Sequence, residues 1–174
     1  MHEIHARHAT FNKTAIKEQV VEMFYHAYYA YMNNAWPADE LMPLSCAGRY
    51  RGINSDRGDI DDVLGNYSLT LIDSLDTLAI IGDVAEFERA VDLVARHVTF
   101  DRDINVSVFE VNIRIIGGLI SAHILALEIQ KSVPGSLLWY SDHLLEMARD
   151  VGIRLLPAFN TSTGLPYPRV SNAY

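Results

Sequence analysis

Apolar positions along this chain recur mainly at helical spacing, in long segments broken by short polar stretches. From about Thr14 to Ala35, residues Val20, Met23, Phe24, Ala27, Tyr28 and Tyr31 repeat at intervals of three and four, as one helix face requires. That helix must stop before Pro37, because the residue preceding a proline disfavours the helical region. A second helix is predicted over about Ser68 to Ile81, closed by Gly82 in the left-handed position that glycine favours. Asp83 opens a third, with Glu86 three residues on in the manner of a capping box and Phe87, Ala90, Val91, Val94 and Ala95 as its apolar face. A further helix runs from about Ser136 to Leu156 and ends at Pro157.

Two stretches are harder to read. Ile104, Val106, Val108, Val111, Ile113 and Ile115 nearly alternate with polar residues, which alone reads as a strand. From Phe109 to Gln130 the length and the spacing of Leu119, Ala122, Leu125 and Ala126 favour a helix. Residues 37–65, with two prolines and four glycines, read as a long loop, and loops of that length inside a compact domain are often functional. Gly117-Gly118 in mid-helix costs about 1 kcal/mol per glycine relative to alanine, which suggests close approach of another helix. About five helices joined in sequence give an all-α chain of stacked αα-hairpins. Both an open helical array and part of a closed α/α barrel fit that pattern. Residues 1–13 are expected to form a flexible N-terminal segment and 14–174 one domain.

Composition narrows the function. The 174 residues are 49% hydrophobic and 21% charged, with net charge -8 and no run rich in Lys or Arg. That excludes the basic surface that nucleic acids and anionic membranes recruit. Cys46 is the single cysteine, so no internal disulfide or cysteine-rich metal site can form. Apolar runs such as Ile113 to Ile120 look too short to span a bilayer, and residues 1–15 carry no apolar signal-peptide region. Four Asn-x-Ser/Thr triplets, at Asn12, Asn66, Asn105 and Asn160, suggest a secretory route nonetheless. Asn66 and Asn160, at expected element edges, are the more plausible glycan acceptors.

The candidate chemistry centres on Glu110. It lies within Val108-Phe109-Glu110-Val111-Asn112-Ile113-Arg114, among large apolar groups. Apolar surroundings disfavour the charged form of a carboxyl group, which is how enzymes keep an acid protonated for proton donation near neutral pH. Arg114, four residues on, shares a helix face with it; the same spacing fits an ordinary Glu–Arg surface pair. Asp73 and Asp76, three apart in Leu71–Leu78, would project together from an apolar helix, either as a polar network near a site or bonded to neighbouring loops. Asp56, Asp59, Asp61 and Asp62 could suit calcium, but the twelve-residue calcium-loop pattern is missing and a solvated acidic loop fits better. No His or Cys spacing suits zinc, and no Gly-x-Ser-x-Gly elbow or phosphate-cradling loop occurs, so no metal site is expected in this chain.

Four motifs appear in order: Asp39-Glu40-Leu41-Met42-Pro43-Leu44; Leu69-Thr70-Leu71-Ile72-Asp73-Ser74-Leu75-Asp76-Thr77-Leu78; Phe109–Arg114 followed by Gly117-Gly118-Leu119; and Leu155–Phe159 with Leu165-Pro166-Tyr167. Together they resemble glycoside hydrolase family 47, the class I α-1,2-mannosidases. Gly48–Gly52 through Asp59–Gly65, with Leu44-Ser45-Cys46, is similar to its endoplasmic-reticulum (ER) degradation-enhancing mannosidase-like group. The resemblance implies an (α/α)7 barrel, of which this chain is an incomplete N-terminal part of the catalytic domain. It implies an inverting mechanism, with one carboxylic acid protonating the leaving oxygen and a second carboxylate activating water. The family's first catalytic acid falls on Glu110 and its sugar-contacting arginine on Arg114. The implied role is trimming of mannose from high-mannose N-glycans of misfolded glycoproteins in the ER lumen; the alternative is a non-catalytic module binding glycoproteins or oxidoreductases. Ca2+ is implied for the full-length family domain, but its ligand threonine and the remaining catalytic carboxylates match no position here, so the chain alone is expected to be inactive. Cys46 resembles one half of an intermolecular disulfide linking the group to protein-disulfide-isomerase-type partners; an inert thiol is the other reading.

Overall fold

A computed structural model describes residues 12–173. Of the N-terminal segment 1–13 expected to be flexible, residues 1–11 lie outside the described residues. Helix α1 spans Lys13–Asn34, and the side-chain oxygen of Asn12 caps it by accepting from the Ala15 amide. Only the C-terminal part of its predicted apolar face is used: Tyr28 and Tyr31 are buried, whereas Val20 and Met23 are exposed. Ring stacking at i,i+4 spacing, Phe24 on Tyr28 and Tyr25 on Tyr29, orders that face. The Tyr25 and Tyr28 hydroxyls then reach the start of the third helix, donating to Asp83 (2.6 Å) and Glu86 (2.7 Å).

Residues 37–65 are not a structureless loop. They contain an antiparallel hairpin of β1 (Glu40–Met42) and β2 (Ala47–Arg49), then a 3-10 turn at Gly58–Val63. The expected solvated acidic loop is also corrected. Asp61 is buried and held by Arg49 and Arg57, while Asp62 pairs with Arg51 and Arg169. Four arginines pair with the segment, so Asp61 and Asp62 fasten the fold, while Asp56 and Asp59 remain exposed as expected.

Helix α2 spans Leu69–Ile81 and ends at Gly82, whose φ of 88° is the left-handed cap expected from the sequence. Helix α3 (Val84–His97) opens on Asp83, which accepts from the Glu86 amide. The capping box is half formed, because the Glu86 carboxylate turns instead to Tyr28 and Arg89. Both readings of residues 104–116 hold in part: Asn105–Ser107 forms β3, and the chain passes directly into helix α4, Val108–Ser132. Helix α4 contains a π-helical stretch at Val111–Ile116. By length and composition α4 is apolar enough to cross a membrane, contrary to the reading of its apolar run as too short. It packs against α2 and against the helix that follows it, with about a third of its apolar stretch buried.

Helix α5 covers His143–Leu155, beginning seven residues later than expected. The cause is local. Gln130 donates to the carbonyls of Leu137 and Tyr140, and Leu137 is buried with φ of 53°, so the chain there is pinned outside helical geometry. A 3-10 turn follows at Leu156–Phe159, and β4 (Arg169–Ser171) returns to pair antiparallel with β3. The core is built from Leu71, Ile72, Leu75 and Leu78 of α2, Phe87, Val91 and Val94 of α3, Ile115 and Leu119 of α4, and Leu144 and Val151 of α5. A Cβ on Gly118 would lie 3.2 Å from Ile72 Cγ2, so this glycine lets α4 approach α2 closely. Gly117 meets nothing so near, and the expected close approach falls on one glycine of the pair.

Candidate active site

The close approach of α2 and α4 places their polar groups against one another. Glu110 closes the first turn of α4, where its amide is capped by the Ser107 hydroxyl. The π stretch follows immediately; such turns are rare and recur at functional sites because they re-aim side chains within a helix. Arg114 donates from Nε to Glu110 (2.8 Å) and from Nη1 to Asp73 of α2 (2.9 Å). The three side chains border a cavity of about 310 Å³, together with Glu40, Val63, Leu69 and Thr70. Glu110, Asp73 and Arg114 are 31%, 39% and 43% exposed, so the cluster is half open to a ligand.

Sequence reasoning placed Glu110 in a greasy enclosure, and that is not what surrounds it. Phe109 and Ile113 point outward, 67% and 47% exposed, while the carboxylate meets a guanidinium. The hydrogen bond to Glu110, then that to Asp73, holds the Arg114 guanidinium above its ordinary pKa. Asp76 does not join the cluster: it accepts from Ser121 of α4.

What fixes this geometry is Asp39, which no spacing argument singled out. Fully buried, its carboxylate accepts from the backbone amides of Asn66 (2.6 Å), Tyr67 (2.8 Å) and Leu69 (3.1 Å). Its own carbonyl accepts from both the amide and the hydroxyl of Thr70. The start of α2, and with it Asp73, is therefore fastened to the strand that carries Glu40. Burial raises the Asp39 pKa, against the lowering effect of these amides.

The remaining candidates lie elsewhere. Cys46 is an exposed thiol in the turn between β1 and β2. Asn66 holds the Arg51 backbone in both directions, accepting from its amide and donating to its carbonyl. Asn160 is exposed beyond the 3-10 turn that ends at Phe159. Among the described residues no three His, Cys, Asp or Glu side chains converge as a metal-binding set. A larger cavity of about 520 Å³, between α4 and the 156–168 segment, has no charged side chain in its lining. The smaller cavity thus holds the chemistry: three carboxylates and a guanidinium, with Thr70, Val63 and Leu69 beside them, a set suited to a hydroxyl-rich ligand with a bond open to acid catalysis.

Comparison with known proteins places this architecture. Residues 23–173 match the model for glycosyl hydrolase family 47. The chain is 56% identical over 159 residues to human ER degradation-enhancing alpha-mannosidase-like protein 3, covering 91% of this chain and 17% of the relative. Its Xenopus laevis counterpart is 53% identical over 167 residues, covering 96% and 18%. The solved alpha-1,2-mannosidase from Trichoderma reesei matches with TM-score 0.69 and 28% identity, over 87% of this chain and 29% of that one. The chain belongs to glycosyl hydrolase family 47, and its all-α fold corresponds to part of the family's (α/α)7 barrel. It spans less than a fifth of the length of the human and frog relatives.

Proposed function

We propose that this chain carries part of the active site of an inverting α-1,2-mannosidase that trims high-mannose N-glycans of misfolded glycoproteins in the ER lumen. The observation that carries the reading is the Asp73–Arg114–Glu110 cluster at the edge of a sugar-sized cavity, in a chain of this family. Glu110 is the proton donor to the leaving glycosidic oxygen, and Arg114 anchors the sugar through hydroxyl-directed N–H groups. Asp73 orients the guanidinium. The names of the human and frog relatives support the ER setting.

Under the same reading calcium belongs to the full-length domain, and no residue set here is assigned to it. Cys46, exposed in its turn, is the point for an intermolecular disulfide with an oxidoreductase, and Asn160 is the glycan acceptor left open by its surroundings. The test is made on the full-length protein that carries this segment. Proton NMR of mannose released from a high-mannose glycan is expected to show the β-anomer first. Release of α-mannose, or no release at all, counts against the proposal.

A further inference from the structure

The cavity beside Glu110 has a third carboxylate, and the fold holds it there by a separate device. Glu40 follows Asp39, whose side chain is locked inward by three backbone amides. Glu40 opens β1 directly after this anchor and borders the cavity with Asp73, Glu110 and Arg114. One oxygen of Glu40 accepts from Arg57 Nη2 at 2.8 Å. Among the described residues no protein donor reaches its other oxygen. Arg57 is itself held, by its Nε (2.7 Å) and its backbone amide (2.9 Å), on the buried carboxylate of Asp61, which Arg49 clamps from the far side. The order of support runs from Arg49 through Asp61 and Arg57 to Glu40.

We propose that Glu40 is a sugar-binding carboxylate of this site and that Arg57 is its positioning residue. The proposal rests on the mannosidase reading above. A carboxylate paired through one oxygen with a guanidinium and retaining an unused oxygen is a strong acceptor for a sugar hydroxyl. A Glu–Arg pair about a third exposed contributes little to stability by itself. The support chain instead keeps the acceptor in one place before the sugar arrives, which lowers the cost of binding.

The experiment compares Glu40→Gln, Arg57→Lys and Glu110→Gln in the full-length protein that carries this segment. It reads kcat, KM and melting temperature for mannose release, and retention on an immobilised high-mannose glycan. Glu40→Gln is expected to raise KM about tenfold or more, the loss of one charge-assisted hydrogen bond. kcat should stay within a few-fold, melting should be unchanged and glycan retention weaker. Arg57→Lys keeps the charge but not the forked grip, and is expected to raise KM by a smaller factor. An unchanged KM in both variants overturns the proposal, as does a fall in kcat at constant KM. If Glu40→Gln melts early, Arg57→Lys supplies the same readout without removing the carboxylate. The two readings fail separately. Normal trimming by Glu110→Gln removes the mannosidase assignment of this site, whereas lost trimming there with normal KM in Glu40→Gln removes only the role of Glu40.

Discussion

Two groups of carboxylates in this molecule use the same chemistry for opposite ends. Asp39 and Asp61 are buried, each with several fixed donors, and what they hold is backbone and arginine. Asp73 and Glu110 share one guanidinium, stand about a third exposed and border a cavity. A buried carboxylate must be saturated by the protein or it costs more than it returns. One left half open has acceptor capacity for a ligand. Acidic residues alone therefore do not mark a site here; incomplete pairing at a cavity wall does.

The sharpest way to break the comparison is Asp39→Asn. An amide in that place turns N–H groups toward backbone N–H groups, and the start of α2 loses its fastening. Urea denaturation is expected to show a loss on the order of 3 kcal/mol. A loss near zero would mean that Asp39 is not structural.

Asp61→Asn should cost less, about 2 kcal/mol, because Arg57 is partly solvated and can reorient toward water. Burial alone would raise the Asp61 pKa, but the hydrogen bonds from Arg49 and Arg57 win and hold it well below the usual carboxylate range. With the folded-state value depressed, the stabilisation is present above about pH 4 and is lost as pH falls through the folded-state value. An acid titration of stability should thus show a smaller acid-side decline in Asp61→Asn than in the parent. Equal declines would contradict the assignment.

The contact that brings the two helices of the site together gives a smaller effect. Gly117→Ala should stabilise by up to about 1 kcal/mol through helix propensity, whereas Gly118→Ala should gain less or lose, since its methyl group meets Ile72. Thermal unfolding of the two variants checks the order.

Much of this was legible in the chain itself. Helices α1, α2 and α3 follow from apolar spacing, Asp83 and Gly82, because caps and periodicity are local signals. The late start of α5 was not, since it depends on Gln130 reaching across to residues 137 and 140. Glu110 and Arg114 were found together because four residues on a helix suffice to pair them. Asp73 was noticed, but its bond to Arg114 spans 41 positions and only folding creates it. Asp39 and Glu40 lay within a motif, yet their opposite roles depend on which one faces three amides contributed from residues 66–69. The π stretch had no sequence signal that helical spacing could reveal.

At the small end for stability, and the large end for function, stands Glu110→Gln. About a third exposed and replaced by an isostere, it should leave unfolding free energy within about 0.5 kcal/mol of the parent. The most direct test is kcat/KM for mannose release by that variant of the full-length protein, measured where its melting temperature is unchanged. Loss of the proton donor predicts a fall of about a hundredfold or more. A variant that melts normally and still releases mannose at the parent rate would contradict the account.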